Sequence, residues 1–307
     1  MHRRRKAATV EQALRRHFFD ISPHHHANML AEESSQRGLV LQYAMARHLG
    51  VPLPPFDDIG FRAFSQFNED GILLCLFATL GARSRIFVEI GSDFSGSPVY
   101  RIPQNNTLNL ALNHDWMGLV LDGDPEHIAA AERFTRSSLA TAGMHPVFRQ
   151  ALVTRENINT LIGSAGIEGE VDLFSLDVDG VDYWLWDALT IIRPRVVVVE
   201  YNRLWRTDDA VTVPYAADFV SPWGSDDPIR KDFFGASLPA FVSLAGRKGY
   251  RLIGFNIYRN NAFFMLRGVG EEAFPEVDWR QGYDGAICRL ERLPPKPRSA
   301  DLGWERV

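Results

Sequence analysis

Val171-Asp172-Leu173-Phe174-Ser175-Leu176-Asp177-Val178-Asp179-Gly180 and Val196-Val197-Val198-Val199-Glu200-Tyr201-Asn202 decide the fold of this chain. Each is a largely apolar run that ends in carboxylates, and residues 181–194 between them suffice for one helix. Apolar runs separated by a helix read as neighbouring parallel strands buried on both faces. In open α/β sheets, ligands bind beyond the carboxyl ends of such strands. Asp177, Asp179, Glu200 and Asn202 therefore fall on one rim, where they predict chemistry rather than stability.

The same rhythm extends in both directions. Residues 68–80 form an amphipathic pattern closed by Gly81, and 86–90 a strand followed by a Gly/Ser loop through Gly96. Residues 116–121 predict a second strand ending at Asp122-Gly123-Asp124, 126–139 a helix, 147–153 a third strand and 157–162 a short helix. Downstream, Ser237 is a candidate N-cap for a helix through Leu238, Phe241, Leu244 and Lys248, with Gly249 at its end. Strands are then expected over 250–257 and 261–266. Only Tyr258-Arg259-Asn260 joins them, too short for a crossover, so they pair antiparallel. Alternating strands and helices imply a mostly parallel sheet covered on both faces. The domains read as a helical cap over 1–62, interrupted by Pro52-Leu53-Pro54-Pro55, a main domain over 63–295 and a tail over 296–307.

Composition excludes several classes. The chain has 307 residues, 46% hydrophobic and 23% charged, which suits one large globular domain with extensions. Net charge is −5, so nucleic acid is not an expected partner. No apolar stretch approaches the roughly 20 residues of a membrane span. Two cysteines, Cys75 and Cys288, make no disulfide scaffold and point to a reducing cytoplasm. Residues 1–20 hold six Lys/Arg against two acids, a net +4 that leaves −9 on the rest. This stretch lacks the apolar core of a secretory signal and reads as a solvated leading helix. His24, His25 and His26 are consecutive, share no face and are not read as a metal site. The N-terminal extension is the candidate surface for self-association.

The chain resembles class I S-adenosylmethionine-dependent methyltransferases, and within them the FkbM-like O-methyltransferases. The resemblance covers roughly residues 63–270. It lies in Ser65-Gln66 with Glu69-Asp70-Gly71, Phe87-Val88-Glu89-Ile90-Gly91, Asn105-Asn106-Thr107, Gly118-Leu119-Val120-Leu121-Asp122-Gly123, Asp177-Val178-Asp179-Gly180 with Asp182-Tyr183-Trp184, and Glu200-Tyr201-Asn202. It implies a Rossmann-like seven-stranded sheet whose last strand inserts antiparallel beside the fifth. It also implies S-adenosylmethionine as cofactor, held by Glu89, Gly91, Ser92, Asn106 and Asp122. Asp93 stands where the family often has a second glycine. A carboxylate there would repel a phosphate-bearing cofactor, but it suits a sulfonium and an ammonium. Asp122 is expected to take the ribose hydroxyls, with Asp124 either the competing ligand or the N-cap of the following helix.

Methyl transfer from a sulfonium needs donor and acceptor in line and, for a hydroxyl acceptor, help with deprotonation. Asp177 and Asp179 are the candidate bases. Asp177, Glu200 and Asn202 offer three oxygens to a hard cation such as Mg²⁺, resembling the metal site of catechol-type O-methyltransferases. Alternate strand residues share a face, so Glu200 and Asn202 can both point inward. His114, His127 and His145 are weaker candidate bases. Asp182 is read as a cap of the helix bearing Trp184 and Trp186. Those tryptophans sit two apart, so at least one belongs to the core. Residues 203–235 have little periodicity and carry Trp205, Tyr215 and Trp223. They are read as an insertion that binds a small-molecule or saccharide acceptor. The competing readings are a nicotinamide-dependent oxidoreductase and a non-catalytic cofactor-binding scaffold.

Overall fold

In the computed structural model the described residues are 29–93, 104–136, 146–283 and 294–307. The expectations for the basic leading segment, His24–26, Gly96, residues 137–139, His145 and Cys288 lie outside them. The chain starts with helix α1 (Met29–His48) and helix α2 (Glu69–Leu80), followed by strand β1 (Ile86–Ile90). Helix α3 (Leu108–Asn113), β2 (Met117–Asp122), α4 (Pro125–Arg136), β3 (Val147–Gln150) and α5 (Ile158–Gly163) come next. Then follow β4 (Gly169–Leu176), α6 (Asp182–Ala188), β5 (Ile192–Glu200) and a short β6 (Val211–Thr212). Helix α7 (Leu238–Lys248), β7 (Tyr250–Phe255), β8 (Asn261–Leu266) and β9 (Glu305–Arg306) complete the order.

Seven strands form one sheet in the order β3-β2-β1-β4-β5-β8-β7. β8 pairs antiparallel with β5 and with β7, and the remaining pairs are parallel. This seven-stranded, mostly parallel sheet, with its last strand antiparallel beside β5, matches the one the sequence resemblance implied. Alternation along each strand divides the core. Val197 and Val199 face α5, α6 and α7, whereas Val196 and Val198 face α2, α3 and α4. The helix ends follow local chemistry. Ser237 Oγ accepts from Ala240 N, and Gly249 closes α7 at φ +83°. β7 stops at Phe255, two residues before its expected end, because Asn256 turns the hairpin: its Oδ1 accepts from Asn260 N and Asn261 N.

The C-terminal residues are tied down. β9 pairs antiparallel with β6, and Trp304 meets Trp205 and Phe233 edge-on. Among the described residues, no helix is long and apolar enough to cross a membrane.

Candidate active site

A cleft of about 730 Å³ opens at the carboxyl ends of β1, β2, β4 and β5. Its floor near β1 is set by a crossing of backbones. Gly91 has φ +81°, and a Cβ there would lie 1.6 Å from the carbonyl oxygen of Asp177. Only glycine permits that approach. Gly91 N donates to Leu121 O and Asp177 N to Ile90 O, each at 2.9 Å, so three strand ends are locked together.

The residues expected around a cofactor converge here. Gly91, Ser92, Glu89, Asn106 and Asp122 all line the cleft. Asp122 Oδ2 accepts from Ser92 N at 2.9 Å and Oδ1 from Asp124 N at 2.7 Å, so this carboxylate shapes both loops. Ser92 Oγ is buried without a partner. Asp124 Oδ1 accepts from Glu126 N, the capping contact expected of it. His127 sits between Asp122, 3.4 Å away, and Asp93, 3.6 Å away. His114, another candidate base, contacts Gln36 on α1 instead.

Glu89 is buried and holds the segment leading into α3. Its oxygens accept from Asn106 N (2.9 Å), Thr107 N (3.2 Å) and Thr107 Oγ1 (2.5 Å). Asn106 Nδ2 then donates to Ser175 Oγ across the β1–β4 seam. Asp70 organises the entry to α2, accepting from the amides of Ala63, Phe64 and Ser65. Burial pushes Glu89 up to about 7, and Asp70 and Asp182 up to about 6. Folding therefore favours the neutral forms. That contribution is complete below the ordinary carboxyl range and is lost as pH rises through about 6 to 7. In EDTA, the melting temperature should fall by about 5 °C or more between pH 5 and pH 8. A melting temperature that is flat or rising across that interval would contradict these assignments.

The rim brings Asp177, Asp179 and Glu200 together, with one oxygen from each within 4.8 Å of the others. Burial and then mutual repulsion hold Asp177 and Glu200 well above the ordinary carboxyl range, and burial lifts Asp179. Asp179 has φ +54°, a left-handed conformation that Asp tolerates better than most residues. The turn is held by buried Asp182, which accepts from Val178 N (2.8 Å) and Gly180 N (2.9 Å). It thus clamps the preceding turn rather than capping α6, whose N-cap position is Val181 with no side-chain cap hydrogen bond. At Gly180, a Cβ would lie 2.5 Å from the Phe219 ring, so the insertion packs directly onto the turn.

Asn202 departs from the expected metal trio. Its Nδ2 donates to Asp232 O (3.0 Å) and Phe234 O (2.9 Å), and its Oδ1 accepts from Leu204 N (3.0 Å). The chain leaves the sheet after Glu200, so strand alternation no longer governs where Asn202 points. Its amide closes the base of the 203–235 segment, and Asp179 stands beside Asp177 and Glu200 instead. That segment lines the cleft with Leu204, Ala217, Phe219, Trp223 and Phe234. Trp184 Nε1 donates to Val213 O, anchoring the segment, while Trp186 is core.

Two groups were not singled out in the sequence. Phe67 stacks on Tyr258 at 4.4 Å, and Arg203 lies over the same ring and donates to its hydroxyl. Asn260 Nδ2 reaches both Gln66 Oε1 and Glu200 Oε1 at 3.3 Å. Three asparagines within residues 256–261 of an apolar hairpin are the signal that could have found the second group, since buried amides demand partners.

No family model matches this chain, and no curated protein matches it. Among solved structures it is similar to an O-methyltransferase family protein from Burkholderia thailandensis, at 16% identity and TM-score 0.37, covering 66% of this chain and 60% of that one. It is similar to the CurJ carbon methyltransferase at 10% identity and TM-score 0.37, covering 64% and 51%. It is also similar to the N-terminal domain of EvdMO1, solved with S-adenosylhomocysteine and D-fucose, at 13% identity and TM-score 0.39, covering 75% and 94%. The matched region thus spans about half to three fifths of the first two proteins. At these scores no function passes from those proteins to this chain.

Proposed function

We propose that this chain is an S-adenosylmethionine-dependent O-methyltransferase of the FkbM-like kind, acting on a hydroxyl of a small-molecule or saccharide acceptor. The observation that carries this reading is the division of one cleft into two chemically distinct halves. The half near β1 and β2 offers Gly91, Ser92, Asn106 and Asp122, with Asp93 beside them. The half near β4 and β5 offers Asp177, Asp179 and Glu200, faced by Phe219, Trp223 and Phe234.

The first half fits S-adenosylmethionine. The orphaned Ser92 Oγ, in the cleft with Asn106 and Asp122, offers a polar group to a nucleoside or amino-acid tail. Carboxylates at Asp93 and Asp122 favour a cationic ligand and oppose a pyrophosphate. When bound, the cofactor supplies an electrophilic methyl group. The chain's own residues align the acceptor and take its proton. Asp177, Asp179 and Glu200 are lifted above the ordinary carboxyl range, the direction a general base requires, or they hold a divalent cation that acidifies the hydroxyl. The aromatic wall gives the apolar faces of a sugar ring a surface to lie on. Of the extension expected over 1–62, the described residues 29–62 act as a cap on the main domain, and 203–235 forms the acceptor wall. The unpaired, buried Cys75 supports a cytoplasmic setting.

Calorimetric titration with S-adenosylmethionine, S-adenosylhomocysteine and NAD tests this directly. Binding of the two sulfur compounds without NAD binding is expected. Binding of NAD alone would overturn the proposal in favour of an oxidoreductase.

A further inference from the structure

Asn261 is 2% exposed, lines the cleft and stands opposite Glu200 in the β5–β8 register. Directly opposed residues in an antiparallel pair leave the sheet on the same face, with Cβ atoms about 5 Å apart. Asn261 Nδ2 donates to Glu69 Oε1 at 2.8 Å. The same oxygen of fully buried Glu69 accepts from Asn256 Nδ2 at 2.6 Å, and Oε2 accepts from Phe67 N at 2.8 Å. Three donors converge on this carboxylate, and the Asn261 amide is set with its nitrogen toward Glu69 and its oxygen away from it. That oxygen is buried, and among the described residues no group donates to it. Leaving a buried acceptor without a partner is costly, so the oxygen calls for one. Asn260 is set the other way. Its Oδ1 accepts from Asn256 Nδ2 at 2.6 Å, and its Nδ2 points to Glu200. The hairpin thus steadies Glu200 with a donor, and Asn261, opposite Glu200 in register, keeps an unpartnered carbonyl in the same cleft.

We propose that Asp177, Asp179, Glu200 and Asn261 form a divalent-cation site in which Asn261 Oδ1 is a neutral ligand and Glu69 is the positioning residue that aims it. The inference deepens the methyltransferase reading, on which the ion's catalytic use rests. The three carboxylate oxygens lie within 4.8 Å of one another. Ligands across an ion bound at roughly 2.0–2.6 Å are about 4–5 Å apart, which suits Mg²⁺, Mn²⁺ or Ca²⁺. The donors are all oxygen, the set hard cations take. Three carboxylates around one divalent ion leave a single net negative charge, and four protein ligands leave coordination positions open. An acceptor hydroxyl entering one of them would be acidified beside the carboxylates that remove its proton.

The test is calorimetric titration of Mn²⁺, and separately Mg²⁺, into the full chain after treatment with EDTA and its removal, with no cofactor present. One Mn²⁺ per chain is expected. Asn261→Ala should weaken Mn²⁺ binding about 10-fold or more. Glu69→Gln should weaken it by a similar factor without removing any ligand, because a glutamine amide can donate to Asn261 Oδ1 and turn it from the ion. Far-UV circular dichroism of both variants, matching that of the unmodified chain, reports an intact fold. Absence of Mn²⁺ binding to the unmodified chain would overturn the site. Undiminished binding in both variants would remove Asn261 and Glu69 from it. Mn²⁺ binding without any S-adenosylhomocysteine binding would leave the ion site standing while the methyltransferase reading falls.

Discussion

Gly91→Ala is expected to lower the melting temperature by about 10 °C and to abolish S-adenosylhomocysteine binding at the same time. The added Cβ would stand 1.6 Å from Asp177 O and 2.6 Å from Asp177 C, which are backbone atoms with no rotamer to escape into. The positive φ alone costs about 1–2 kcal/mol for alanine. Displacing two strand ends adds about 1–3 kcal/mol, as other overpacked sites do. A total of about 2–5 kcal/mol corresponds to roughly 10 °C in a domain of this size. The same displacement moves Ser92, whose amide is held by Asp122, and Asp177 itself, so binding and stability fail together. Gly249→Ala is the matched control. Its φ is +83°, yet nothing lies within 4 Å of the added Cβ, so only the backbone penalty applies and a loss of a few degrees is expected. Differential scanning fluorimetry on the two variants decides the matter. Equal losses would show that the crossing at Asp177 is looser than its geometry states.

Much of the fold could be read from periodicity. The two runs ending at Leu176 and Val199 are apolar because the sheet buries both faces there, and that burial makes parallel strands conspicuous. The three-residue link at 258–260 forced β7 and β8 to be antiparallel for steric reasons alone. Strand ends were less legible. β7 stops where Asn256 captures two backbone amides, a tertiary choice that hydrophobic pattern does not encode. The tail looked featureless because the partner of β9 is β6, a two-residue strand nearly a hundred positions away.

The site was legible in its members and less so in their duties. Gly91, Ser92, Asn106 and Asp122 do meet in one cleft, because strand ends in such a sheet must. Glu89 lines it too, yet its oxygens are occupied by Asn106 and Thr107, so it also fixes the wall. Asn202 shows where alternation ceases to guide. One residue beyond a strand, the chain's direction depends on what it joins, and here Asn202 joins both ends of a long insertion. Asn261 was hidden for the opposite reason. It opens an apolar strand and reads as a strand residue, and only the register opposite Glu200 and the fixed amide reveal it.

Asp179→Asn should cut kcat by about 100-fold or more while leaving S-adenosylhomocysteine affinity within about two-fold. Asparagine matches aspartate in shape and shares its tolerance of φ +54°, so the turn keeps its path and only the charge is lost. That charge lies in the group with Asp177 and Glu200, and removing a positioned base or ion ligand costs about 10²–10⁴ in rate. The donor half of the cleft is built from other strand ends, which is why cofactor affinity should hold. Asp182→Asn gives the contrasting case. Its two oxygens each accept a backbone N–H, and an amide can serve only one of them. One buried donor is then left unpaired at a cost of about 1–3 kcal/mol, so stability and turnover should fall together. Initial rates of S-adenosylhomocysteine formation, with an acceptor drawn from a panel of saccharides and phenols, separate the two effects. If Asp179→Asn turned over at the unmodified rate, neither base nor ion ligand could be assigned to Asp179, and the reacting centre would have to lie nearer Asp177 and Glu200 alone.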